Sequence, residues 1–146
     1  MDFCRAKVIL IGLFSVLSIS LSAYDDSPKC FQHLQRIFFQ QSTVAEALSL
    51  HNVPQSQWFV IGSELESRNR YIPRRMKQQA KRMRRSPLEN PFQPEDALEL
   101  FRQVLWEEFV EVMKKYDGAN QRNWRDIFSL IYQSESERIN FCIGIE

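Results

Sequence analysis

The stretch PEDALELFRQVLWEEFVEVMKKYDG, residues 94–118, carries the strongest helix signal in this chain of 146 residues. Its apolar residues recur at intervals of three and four, which is the spacing of one face of an α-helix. Pro94 suits the first helical turn, and Asp117-Gly118 suits the end, because glycine commonly follows the last helical residue. The residues predicted to form the buried face are Leu98, Phe101, Leu105, Phe109, Val112 and Tyr116, widened by Val104 and Met113.

Helical patterns also occur upstream of this stretch. Phe31 and Leu34 begin an apolar face with helical spacing. Thr43 and Glu46 match a capping box, in which the threonine side chain caps a helix and the glutamate lies at its third position. We therefore predict at least two helices in the N-terminal part.

The C-terminal part predicts a further helix and one ambiguous segment. Asn123 is placed to cap a helix that carries Trp124 and Ile127. Residues 138–145, RINFCIGI, alternate as a strand would, but they also fit a short helix. Taken together, the patterns predict an all-α protein, a small helical bundle of four or five helices with a basic, proline-flanked central linker.

The first 23 residues have the layout of a secretory signal peptide. Arg5 and Lys7 precede the apolar residues 8–21, a run shorter than the roughly 20 residues that a bilayer span needs. We predict cleavage between Ala23 and Tyr24. The mature protein is then expected to be secreted and to have no stable membrane span.

Four segments follow from these signals. Residues 1–23 are the signal peptide, residues 24–67 an N-terminal helical segment, residues 68–94 a basic processing segment with a proline linker, and residues 95–146 a C-terminal helical segment. We expect the two helical segments to pack together as one domain.

Two cysteines remain after the signal peptide, Cys30 and Cys142. In a secreted chain such a pair favours one disulfide bond within the chain. Two buried free thiols, or a bond to another chain, are the alternatives.

The net charge of +1 hides a strong charge pattern. Residues 68–85 hold nine arginines or lysines and no acid, whereas residues 24–67 have a net charge of −3 and residues 86–146 a net charge of −6. The acidic flanks would repel phosphate, so we expect no nucleic-acid partner. We also expect the acidic C-terminal segment to hold the basic segment through charge contacts.

The end of the basic run carries a motif for proteolysis. Arg82-Met83-Arg84-Arg85 before Ser86 resembles the recognition site of the subtilisin-like proprotein convertases, and the resemblance implies a cut after Arg85. The following prolines favour an exposed segment, as a protease requires. An uncut solvated basic segment, or a basic stripe that contacts membrane or glycosaminoglycan, is the alternative. The residues assigned to processing are Arg82, Arg84, Arg85 and Ser86, with Arg74-Arg75 as an additional dibasic pair.

Catalytic and cofactor motifs are not apparent in the sequence. His33 and His51 stand alone, and no metal-ligand spacing or glycine-rich phosphate loop is present. Glu107, Glu108 and Glu111 are best explained as a solvated helix face. We therefore expect no enzyme, no metal site and no cofactor.

These observations favour a precursor of a small helical signalling polypeptide, hormone-like or cytokine-like, with a proprotein convertase and an unidentified cell-surface receptor or secreted partner as its partners. Insulin-type and relaxin-type hormones share the plan of two chains joined by disulfides, but this sequence lacks their cysteines. Trp106 lies off the main apolar stripe and is the candidate receptor contact. The alternative is an uncleaved secreted carrier or interaction domain with an apolar helical pocket.

Overall fold

Helices account for most of the residues that the structure describes. The computed structural model describes residues 29–83 and 94–143, and these contain no β-strand. The described residues form six α-helices, two of which are joined directly by a 3₁₀ turn. The all-α prediction is confirmed. The helices are α1 Lys29–Ile37, α2 Gln41–Leu50, α3 Gln55–Arg68, α4 Ile72–Met83, α5 Pro94–Tyr116 and α6 Trp124–Ile143, with 3₁₀ turns at Asn69–Tyr71 and Gly118–Asn123.

The long helix α5 packs against three other helices, α3, α4 and α6. Its predicted apolar face is buried as expected, with Leu98 and Tyr116 only partly covered. Full burial of each large apolar side chain on this face contributes about 1.5–3 kcal/mol. The fully buried positions of this face are Phe101, Val104, Leu105, Phe109, Val112 and Met113.

A cluster of phenylalanines joins α1 to α5. The ring of Phe101 lies edge-to-face against Phe31 and Phe38, with centroids 5.2 and 5.5 Å away. Edge-to-face pairs of this kind add roughly 0.5–1.5 kcal/mol beyond the area that they bury. All three rings are almost completely buried, so this cluster belongs to the hydrophobic core.

The capping box predicted at Thr43 is wrong. Helix α2 begins at Gln41, and the carbonyl of Gln40 accepts the first helical hydrogen bond, from the amide of Val44. Gln40 has an extended backbone and caps the helix without a side-chain hydrogen bond. The preceding Phe39 is fully buried, and this burial fixes where the chain turns into α2 more strongly than a local cap.

A buried asparagine connects two distant turns. The side-chain oxygen of Asn69 accepts a hydrogen bond from the backbone amide of Phe39 at 2.9 Å, and its side-chain nitrogen donates to the carbonyl of Phe39 at 3.0 Å. The pair joins the end of α1 to the 3₁₀ turn between α3 and α4. Asn69 is buried, so both backbone groups depend on it for their hydrogen bonds.

The ambiguous C-terminal segment is helical as far as Ile143. Ile139 and Cys142 lie three residues apart and are both buried, whereas Phe141 is 85% exposed. A strand would have placed Ile139 and Phe141 on the same face. Helix α6 packs on α1, α2 and α5.

Candidate functional site

The disulfide bond joins the first and last described helices. Cys30 of α1 and Cys142 of α6 are bonded, with their Cα atoms 5.2 Å apart and 112 positions apart in sequence. The predicted intrachain pairing is therefore confirmed. Because one cysteine lies before the basic segment and the other after it, the bond links the two halves of the chain across that segment.

Residues 72–83 of the basic segment form helix α4. Helix α4 buries Ile72, Met76 and Ala80, which recur every four residues and form a narrow apolar stripe. Through this stripe α4 packs on α1 and α5. The sequence predicts a basic linker in this region, but residues 72–83 form a helix that packs on its neighbours through this narrow stripe.

The residues assigned to processing lie in two settings. Arg82 is exposed near the end of α4, while Arg84, Arg85 and Ser86 lie outside the described residues, as does the predicted signal cleavage between Ala23 and Tyr24. A protease that binds an extended substrate reaches the α4 end more readily than the helix interior.

The additional dibasic pair lies inside α4. Arg74 is exposed, but the guanidinium of Arg75 forms ion pairs with Glu107 and Glu108 of α5. Cleavage at this pair would require local unfolding of the helix and loss of these contacts. The geometry therefore favours the end of α4 over its middle as the place of a cut.

Glu108 is the centre of a charged cluster between α3, α4 and α5. Arg75 Nη1 lies 2.8 Å from one carboxylate oxygen of Glu108, and Arg68 Nη1 lies 3.0 Å from the other. The Glu108 side chain is only 5% exposed. The interpretation of the α5 acids as a solvated face is thus wrong for Glu108, because two arginines from the basic side of the chain cover it.

Two further acids on α5 extend this cluster to the surface. Glu111, 61% exposed, lies 2.5 Å from Arg68, and Glu107 pairs with Arg75. Burial acts to lower the pKa of Arg68, but hydrogen bonds to Glu108 and Glu111 outweigh it and raise that pKa. The expected contact between the acidic C-terminal segment and the basic segment is present at these residues.

A further ion pair joins the C-terminal part of α3 to the end of α5. Lys115 Nζ donates to a carboxylate oxygen of Glu64 at 2.6 Å. This hydrogen bond, with a further one from the Tyr116 side chain, lowers the pKa of Glu64. The hydrogen bond to Glu64 also raises the pKa of Tyr116.

Trp106 lies half-buried at the surface between α5 and α6. Its ring is 5.8 Å from Phe109 and 5.3 Å from Phe128, and the guanidinium of Arg125 lies 5.3 Å above it. One side of the indole therefore belongs to the core. Its role as a receptor contact stays a prediction.

An open groove runs along both sides of Trp106. We call it the aromatic–basic groove and define it by six residues on α5, the second 3₁₀ turn and α6. The sequence predicted only one of them, because the others meet only once α5 and α6 are placed against each other. They are Arg102, Trp106, Lys114, Arg122, Trp124 and Arg125.

The described residues hold no cluster of three or more histidines, cysteines or acids that could bind a metal ion. His33 is exposed on α1, and His51 follows the end of α2. Within residues 29–83 and 94–143, no helix combines the length and apolar character needed to cross a membrane.

Comparisons of the chain with protein-family models, with curated proteins and with solved structures found no match.

Proposed function

We propose that this chain is the precursor of a small secreted helical signalling polypeptide, cut after Arg85 by a proprotein convertase into two chains that stay joined by the Cys30–Cys142 bond. The observation that carries the proposal is the position of this bond, which links α1 to α6 across the basic segment. The proposed cut lies in residues 84–93, between the end of α4 at Met83 and the start of α5 at Pro94.

The packing of the described helices supports a stable two-chain product. A cut after Arg85 leaves α1 to α4 on one chain and α5 and α6 on the other. Contacts of α3 and α4 with α5, and of α1 and α2 with α6, would cross between the chains. The apolar core and the Glu108 cluster are both shared between them, so a single hydrolysed bond removes none of these contacts.

A carrier function has less support from the described residues. A carrier for an apolar ligand needs a pocket lined mainly by apolar side chains. The aromatic–basic groove is open and contains four cationic side chains. An uncleaved interaction domain stays the alternative that the following experiment can distinguish.

Intact mass spectrometry of the secreted protein, before and after reduction, tests the proposal. We expect one unreduced species that comprises residues 24–146 with one hydrolysed bond, and two chains, 24–85 and 86–146, after reduction. Arg85→Ala should yield a single chain in both conditions. Arg74→Ala is the matched control and should still be cut after Arg85.

A single mass that reduction changes only by two hydrogens would contradict the proposal if the cells contain an active proprotein convertase. The basic segment would then be a surface of an uncleaved domain. A cut at Arg74-Arg75 in place of Arg85 would also contradict the assigned position, since it would require α4 to open.

A further inference from the structure

The aromatic–basic groove combines an aromatic floor with a cationic rim. Trp106 forms its centre, and Arg102 and Lys114 from α5 and Arg122 and Arg125 from the far side surround it. No acid lines the part around Trp124, and Glu99 is the acid that lines the other part. This concentration of positive charge occurs in the part of the chain, residues 86–146, whose net charge is −6.

Two of the arginines are held by aromatic rings. The guanidinium of Arg125 lies 5.3 Å above the Trp106 ring, and that of Arg102 lies 5.4 Å above Tyr132. A cation over a ring face is attracted to it, and the N–H donors of a guanidinium suit a carboxylate. The groove therefore presents oriented cations, which lose less side-chain entropy on binding than free arginines.

Trp124 lines the groove but is only 3% exposed, and its indole N–H is fully buried. The donors that a ligand can reach on this side are those of the exposed Arg122 and Arg125, which select an anionic ligand.

We propose that this groove binds an acidic peptide segment of the receptor or secreted partner, in which carboxylates flank an aromatic or large aliphatic side chain. The carboxylates would meet the four cations, and the apolar side chain would contact the exposed part of Trp106 beside Arg125. A peptide fits this surface better than a sulfated polysaccharide, because Trp106, Val110 and Phe128 offer apolar area and Glu99 would repel a uniformly anionic chain. The inference rests on the proposed function only in assuming a protein partner.

Fluorescence anisotropy with two labelled peptides tests this proposal. The probe EDFEDL carries four acids and two apolar residues, and the control EDGEDG carries the same charge without them. Both are titrated with the full secreted protein and with its Arg85→Ala variant. We expect EDFEDL to bind several-fold more tightly than EDGEDG, and added salt to weaken it.

Charge reversal locates the binding surface. Arg122→Glu/Arg125→Glu should weaken EDFEDL binding by about tenfold or more, and Lys114→Glu should weaken it less, because each removes a rim cation and adds repulsion. All three positions are exposed, so the fold should be retained, which near-ultraviolet circular dichroism can check. Arg36→Glu, at an exposed position of α1, is the matched control and should leave binding unchanged.

Several outcomes would overturn the proposal. These are no binding of EDFEDL, equal binding of the two peptides, or equal losses in the double variant and the Arg36→Glu control. Heparin binding that is sensitive to the double variant, without peptide binding, would make the groove a polysaccharide site instead. Every groove residue follows Arg85, so a failure of cleavage would refute the proposed function while leaving peptide binding intact.

Discussion

Replacing Glu108 with glutamine tests whether the buried ion-pair cluster stabilises the fold. Both carboxylate oxygens of Glu108 are used, one by Arg68 of α3 and one by Arg75 of α4. Glutamine has nearly the same shape but no charge, and it offers only one acceptor oxygen. Two partly buried guanidinium groups would then share a single neutral acceptor.

The size of the expected destabilisation depends on how exposed Arg68 and Arg75 are. Removing one member of a fully buried ion pair typically costs about 3–5 kcal/mol, because the remaining charge stays buried and uncompensated. Arg68 and Arg75 are 18% and 26% exposed, which reduces this cost. Arg68 also keeps Glu111, and Arg75 keeps Glu107. We therefore expect Glu108→Gln to lower the free energy of unfolding by about 2 kcal/mol.

Glu111→Gln is the matched control on the same helix. Glu111 contacts the same Arg68 but is 61% exposed, so its loss should cost less than about 1 kcal/mol. Urea unfolding at neutral pH, followed by far-ultraviolet circular dichroism with the disulfide intact, measures both. With a slope of about 1–3 kcal/mol per M, Glu108→Gln should move the midpoint down by roughly 1 M.

An equal decrease in the free energy of unfolding of the two variants would refute this reasoning, because burial would then have no influence on how much an ion pair stabilises the fold. A more stable Glu108→Gln variant would refute it as well. That result would mean that the desolvation penalty of Glu108 exceeds its attraction to the two arginines. High salt should reduce the effect of Glu111→Gln more than that of Glu108→Gln, since screening acts mainly on exposed charges.

Three further predictions concern other contacts. Asn69→Ala should lower the free energy of unfolding by about 2–3 kcal/mol, because it leaves a buried backbone N–H and carbonyl unpaired, whereas exposed Asn140→Ala should change it by less than about 0.5 kcal/mol; equal urea midpoints would contradict this. The pKa of Glu64 is lowered by its lysine hydrogen bond, so its contribution is present at neutral pH and is lost as the pH falls below about 4.5. The melting temperature of Glu64→Gln should therefore fall less steeply with acid than that of the wild type, and parallel curves would count against this linkage. Cys142→Ser removes a disulfide between residues 112 positions apart and should lower the free energy of unfolding in urea by about 4–5 kcal/mol. A decrease under about 1 kcal/mol would contradict this prediction.

The sequence predicts an element well where one face of it is buried along its whole length. In α5 the apolar spacing from Phe101 to Val112 is regular, and the helix follows it. The segment after Arg138 is different, because its apolar residues alternate and also fit a helix. Only the packing of Ile139 and Cys142 against the other helices decides between the two, and a local pattern does not contain that information.

The candidate site also contains both contacts that the sequence predicts and contacts that it does not. Cys30 and Cys142 are the two cysteines outside the predicted signal peptide, so the sequence predicts that they pair without knowledge of the fold. The pairing of Asn69 with a backbone 30 residues away had no local signal. The same is true of Arg122 and Lys114, which come together through the path of the 3₁₀ turn that follows α5.

The proposed cut after Arg85 would separate the chain into two parts of opposite net charge. Residues 24–85 contain eleven bases and five acids, a net charge of +6, and residues 86–146 contain six bases and twelve acids, a net charge of −6. Some of these opposite charges form ion pairs inside the fold, where Arg68 and Arg75 of residues 24–85 contact Glu108 of residues 86–146. If the chain is cut after Arg85, the two products attract each other and the disulfide is not the sole link between them. Reassociation of the reduced chains should then become weaker as salt is added, whereas association through the apolar core alone would not.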